Sequence, residues 1–169
     1  FALGTTFSLL LIFKGNQKYK PENITSGIFF IFISLIQFMD FLFWIDLNNE
    51  MGINKITTIL GPVLNAFQPV ILYLIKVFYY KPDLISMKNF NLPFLIINTV
   101  YTLFFAKGYF NFLNTSKLTT GTSHGHLKWP WVEYFNPYLY LIVLALNTFY
   151  MFDLKYATTL FTITYAFLG

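Results

Sequence analysis

The sequence contains no cysteine and no arginine, and little charge of either sign. Without cysteine there is no disulfide, no thiolate nucleophile, no cysteine-ligated metal and no palmitoylation site. Without arginine the forked donors of a typical nucleic-acid surface are missing, and the 11 lysines are scattered between apolar runs rather than clustered. Both features argue against nucleic acid as a partner. Charged residues make up 11% of the chain, against roughly 25% in an ordinary soluble domain. No Gly-rich phosphate loop, Ser-His-Asp set or selectivity-filter string is visible, so the sequence suggests no catalytic residue and no cofactor.

What is present is apolar. Of the 169 residues, 56% are hydrophobic and 22% aromatic, and the mean hydropathy is +0.58. That composition predicts an integral, multi-pass membrane protein whose first partner is the lipid bilayer. At about 20 residues per crossing, a chain of this length holds five or six spans and leaves no room for a sizeable soluble domain. Apolar runs at 1–13, 28–47, 56–80, 92–105, 138–152 and 156–169 predict an all-α, polytopic transmembrane helix bundle. About six spans form one domain over residues 1–169. Because the chain opens on Phe1 and closes inside an apolar run at Gly169, it is expected to be a stretch of a longer protein. No signal peptide is read in Phe1 to Phe13, which lacks a basic leader and a cleavage site.

The third run carries Gly61-Pro62 and Gln68-Pro69. Pro69 removes a backbone donor and crowds the carbonyl of Asn65, so that helix is expected to kink there and leave the carbonyl to Gln68 or a partner helix. Pro62 lies nearer the helix start and is expected to matter less. Lysine placement suggests an orientation. The first, third and fifth loops hold seven lysines (14, 18, 20, 76, 81, 88 and 155) and the second and fourth hold four (55, 107, 117 and 128). The odd loops then face the positive side. On this reading the Asn114-Thr115-Ser116 sequon lies on the opposite face.

Polar groups inside apolar runs carry the most information, because each is costly in lipid unless paired. Gln37, Asp40 and Trp44 follow at helical spacing on the second span, with Ser34 one turn earlier, and Asn65 and Gln68 form a stripe on the third. Facing stripes predict a mid-depth polar cluster of Ser34, Gln37, Asp40, Asn65 and Gln68, which Asn98 and Asn147 can join. A bare carboxylate at that depth costs at least ~2.5 kcal/mol, so Asp40 is expected to face the interior, protonated or hydrogen-bonded. The cluster has two readings: an ion, proton or small polar-substrate site, or interhelical hydrogen bonding that only fixes packing. In the fourth loop, His124, His126 and Glu133 are the remaining metal-ligand candidates, although i, i+2 histidines do not match the i, i+4 spacing of zinc-protease helices. Solvated loop histidines are the simpler reading. Trp129, Trp131, Tyr134 and Tyr138 read as an interfacial aromatic belt. Neither Lys155, beside Asp153 in a hinge, nor Lys76, near its span's end, sits where a retinal Schiff base needs it.

Four segments, taken in order, resemble one family. They are Ser34-Leu35-Ile36-Gln37-Phe38-Met39-Asp40, Asn54-Lys55-Ile56-Thr57-Thr58-Ile59-Leu60-Gly61, Phe67-Gln68-Pro69 and Gly125-His126-Leu127-Lys128-Trp129. The family is an uncharacterised group of multi-span membrane proteins of large DNA viruses, also found in some algae and bacteria. The resemblance implies a structural or assembly component of a virion's internal membrane, with other membrane or capsid proteins as partners. Two alternatives follow from the residues. One is a small channel or proton-coupled carrier built around Asp40. The other, suggested by an amino-acid usage rich in Phe, Tyr, Ile, Asn and Lys that resembles the output of an AT-rich genome, is a subunit of an organelle-encoded respiratory complex in the mitochondrial inner membrane. A membrane enzyme using His124, His126 and Glu133 is the least supported reading.

Overall fold

The computed structural model describes residues 1–79, 92–115, 118–151, 155 and 157–160. The chain is mostly helical. Among the described residues, α-helices follow in order as α1 (Ala2–Lys14), α2 (Lys20–Ile45), α3 (Ile53–Ala66), α4 (Gln68–Tyr79), α5 (Leu92–Leu113) and α6 (Pro137–Met151), with further helical residues at 155 and 157–160. A short antiparallel hairpin, β1 (Gly121–Ser123) with β2 (His126–Lys128), interrupts the α5–α6 connection. The expected loop 81–91, the hinge residues Asp153 and Leu154, Ser116 of the sequon and the sixth span beyond residue 160 lie outside the described residues.

Helix α2 begins eight residues before the second apolar run. Pro21 occupies the first turn, where its missing N–H costs nothing, and Glu22 complements the positive helix start. The polar residues that suggested a loop are instead buried: Asn23 Nδ2 donates to the Asn16 carbonyl at 3.0 Å and Thr25 Oγ1 to the Pro21 carbonyl at 2.9 Å. They sit beneath α1, which packs closely on α2. A Cβ on Gly27 would lie 2.5 Å from the Ile12 side chain and 2.9 Å from the Ser8 carbonyl, and one on Gly4 would lie 2.5 Å from Ser34 Oγ. Small residues on both helices thus bring the two backbones together.

The third apolar run forms two helices. α3 and α4 break at Phe67 and meet at a bend of 52°. Pro62 is carried inside α3 without ending it, whereas Pro69 sits in the first turn of α4. The fourth run extends past Lys107 and Gly108 to Leu113. Around the central α2 pack α1, α3 and α4, and α4 in turn packs on α6. One core gathers Phe29, Ile33, Leu72, Leu144, Ala157 and Leu160, and a second Val70, Tyr101 and Val143.

Helix lengths license fewer crossings than the apolar runs predict. Among the described residues, Gln17–Ile45 is long and apolar enough to cross a membrane, and the bent α3–α4 pair qualifies if it counts as one span. The described parts of α1 and α6, 13 and 15 residues, rise about 20 Å, against a hydrocarbon core about 30 Å thick. Six crossings therefore do not follow from these helices alone.

Candidate functional site

The α3–α4 break leaves the Ala66 carbonyl without a helical donor, and side chains from α5 and α6 bond to backbone carbonyls around it. Tyr101 Oη donates to the Ala66 carbonyl at 2.8 Å, and Asn147 Nδ2 donates to the Pro69 carbonyl at 2.9 Å. Asn147 also exchanges amide bonds with Asn98, at 3.1 Å in one direction and 2.9 Å in the other. Gln68, fully buried, donates to Asn65 Oδ1 at 3.0 Å and accepts from Tyr140 Oη at 2.6 Å. The amide of Gln68 thus reaches the Asn65 side chain rather than its carbonyl, which lies within reach of the Phe67 N–H.

Beside this network lies a cavity of about 810 Å³ between α2, α3, α5, α6 and the connection preceding α6. Its volume is in the range of small-molecule sites, roughly 300–1,000 Å³. Asp40 and Asn65 face it from α2 and α3, Tyr101 and Lys107 from α5, Tyr140 from α6, and Trp131 from the connection. Two buried polar atoms on this wall have no hydrogen-bond partner: Asp40 Oδ1, an acceptor when ionised, and Trp131 Nε1, a donor.

The predicted cluster is therefore divided. Asp40 and Asn65 share the cavity, and Asn65 continues into Gln68, but Ser34 and Gln37 point elsewhere. Both lie against Gly4 of α1. Six residues from Ser34 to Asp40 are about 1.7 helical turns, which puts the two side chains about 120° apart. One stripe cannot hold both. Trp44 is exposed. Asn98 and Asn147 form their own pair at the break.

The α5–α6 connection folds back onto the bundle. The backbone N–H of Thr120 donates to Asn54 Oδ1 at 2.8 Å and Thr58 Oγ1 at 2.9 Å. Asn54 Nδ2 returns a bond to the Thr120 carbonyl at 2.8 Å, and the two threonine hydroxyls share another at 2.8 Å. Trp129 meets Phe43 edge-on at 4.8 Å and Trp131 is only 8% exposed, so these two residues of the expected belt form a packed cover, whereas Tyr138 is exposed. Gly108 admits it: a Cβ there would lie 2.5 Å from the Tyr134 carbonyl.

Beneath the cover, Asp46 joins α2 to α3. Its carboxylate accepts from the Met51 N–H at 3.1 Å and the Asn54 N–H at 3.0 Å. Burial pushes the Asp46 carboxyl up, but these and neighbouring backbone donors outweigh it and hold the group below its usual range. Asn54, Thr58 and Thr120 were not anticipated as a unit, since their contacts join residues more than sixty positions apart.

His124 and His126 are exposed on the hairpin and Glu133 is exposed beyond it. Among the described residues, no group of three His, Asp or Glu side chains could hold a metal ion. The metal candidates are therefore not assembled. No family model matches the chain, and neither a curated protein nor a solved structure is significantly similar to it. The resemblance to the viral membrane family rests on the four segments that suggested it.

Proposed function

We propose that the chain is a multi-pass integral membrane protein of the carrier or channel type, with Asp40 as the cation- or proton-binding group of its cavity. The observation that carries this reading is the Asp40 carboxylate oxygen, buried and unpartnered on the wall of an interhelical cavity of about 810 Å³. Intramembrane carboxylates mark ion and substrate paths because their cost is otherwise unrecovered. The outer surface supports the bilayer setting. Leu3, Phe7 and Phe13 on α1, Phe41 and Trp44 on α2, and Leu103, Phe104 and Phe110 on α5 are all exposed. Only 22% of the most apolar window of α2 is buried against the protein, unlike the core helix of a soluble domain.

Liposomes test the reading directly. Asp40→Asn keeps the shape but removes the charge and titratable proton, so the variant should fold normally while proton or cation flux falls about tenfold or more. Absence of flux through the unsubstituted protein overturns the carrier. A structural or assembly component of a viral internal membrane is then the better reading, supported by the four segments and by the apolar outer face of α1, which suits a neighbouring helix.

A further inference from the structure

We infer that the cavity takes an apolar amine that also carries a hydrogen-bond acceptor, its ammonium held by Asp40 and its acceptor by Trp131 Nε1. The inference deepens the carrier reading and rests on it for the bilayer setting alone. Two orphaned atoms of opposite character define the ligand. Asp40 Oδ1 needs a donor and, when ionised, a counter-charge; Trp131 Nε1 has only a proton to give. Among the described residues, none supplies either need. Lys107, on the same wall, is exposed and makes no hydrogen bond to that oxygen.

Neither atom is engaged by the described residues, and each is covered until a side chain shifts to admit a ligand. Trp131 Nε1 packs against Gly61, 3.7 Å from where a Cβ would stand, so no side chain of that residue competes for the indole N–H. Tyr101 and Tyr140 turn their hydroxyls away from the ligand, to the Ala66 carbonyl and Gln68. Their rings, with Phe104, Phe105 and Leu139, therefore offer the cavity mainly apolar surface. An amine enters such a site with its charge paired and its body dry, the arrangement in which a charge-assisted hydrogen bond is strongest. A neutral hydrocarbon would leave both orphans unmatched, and a carboxylic acid would set like charge against Asp40.

The probe is 4-methoxyphenethylamine, which has both groups, with phenethylamine lacking the acceptor and 4-ethylanisole lacking the amine. Binding is measured by equilibrium dialysis of the intact chain in nanodiscs against empty nanodiscs. The full probe should bind about tenfold more tightly than 4-ethylanisole, and Asp40→Asn should abolish that advantage. Trp131→Phe should abolish the smaller advantage over phenethylamine and leave the amine preference intact. Equal binding of all three probes overturns the inference, as does amine binding unchanged by Asp40→Asn. If the Asn variant does not fold, the three-probe comparison and Trp131→Phe decide. Asp40-dependent flux without amine preference overturns the ligand class and spares the carrier; amine binding without flux supports the site and overturns the carrier.

Discussion

Replacing Asn147 with Leu leaves the buried Asn98 Oδ1 without its donor and takes the side-chain bond from the Pro69 carbonyl, which stays within the first turn of α4. Interhelical hydrogen bonds in lipid average about 0.6 kcal/mol, but a buried group left unmatched costs about 1–3 kcal/mol. The orphan penalty is the larger effect, so Asn147→Leu should destabilise by about 1–3 kcal/mol in reversible unfolding from mixed micelles. Asn98→Leu with Asn147→Leu removes one orphan along with its partner. The double variant should fall short of the summed singles by about 1–2 kcal/mol, and strict additivity would show that the amides do not act as a pair. Asp46 makes a pH prediction. Its carboxyl titrates lower folded than unfolded, so its contribution is complete above about pH 4, the unfolded value, and is lost as pH falls through the folded one. Amide protection at Met51 and Asn54 should drop below about pH 4 in the native chain, and Asp46→Asn should flatten that dependence.

At the scale of elements, the α1–α2 contact and the folded-back connection respond to different substitutions. Gly27→Leu drives a side chain into Ile12 and the Ser8 carbonyl, neither able to retreat far, so α1 should detach and become accessible to crosslinking while the α2–α3–α4 unit persists. Asn54→Ala deletes both bonds from its amide to Thr120 and leaves Thr58 as the remaining tether. Hydrogen exchange at 118–136 should then rise about tenfold or more with little change in α6. How far these elements can be read from sequence depends on the range of the interaction. Gln68-Pro69 announces its bend because proline acts on its own helix within four residues. The start of α2 is hidden, since Asn23, Thr25 and Ser26 look like loop residues until α1 covers them. Asp40 stands out as a charge in an apolar run. Its separation from Ser34 follows from helix geometry, but the cavity beside it depends on Trp131, placed there by Thr120 binding residues 62 and 66 positions away.

Across the described residues, Leu3, Phe7, Leu103 and Phe110 face outward while the amides of Asn54, Gln68, Asn98 and Asn147 are buried, which suits the bilayer setting proposed for the chain. In detergent it should bind lipid tightly, and delipidation should cost more stability than removal of any single side chain. Its folding must also respect the order of synthesis. The Ala66 carbonyl reaches its donor only when Tyr101 arrives, 35 residues later. At about 5–20 residues per second that wait lasts roughly 2–7 s. Throughout that interval the bent segment carries an exposed acceptor that a bilayer does not tolerate. Nascent α3–α4 should therefore stay at the insertion machinery, or at the water boundary, until α5 emerges. A stalled chain ending before residue 92 should crosslink to the translocon through position 66, and one extended beyond residue 113 should release it.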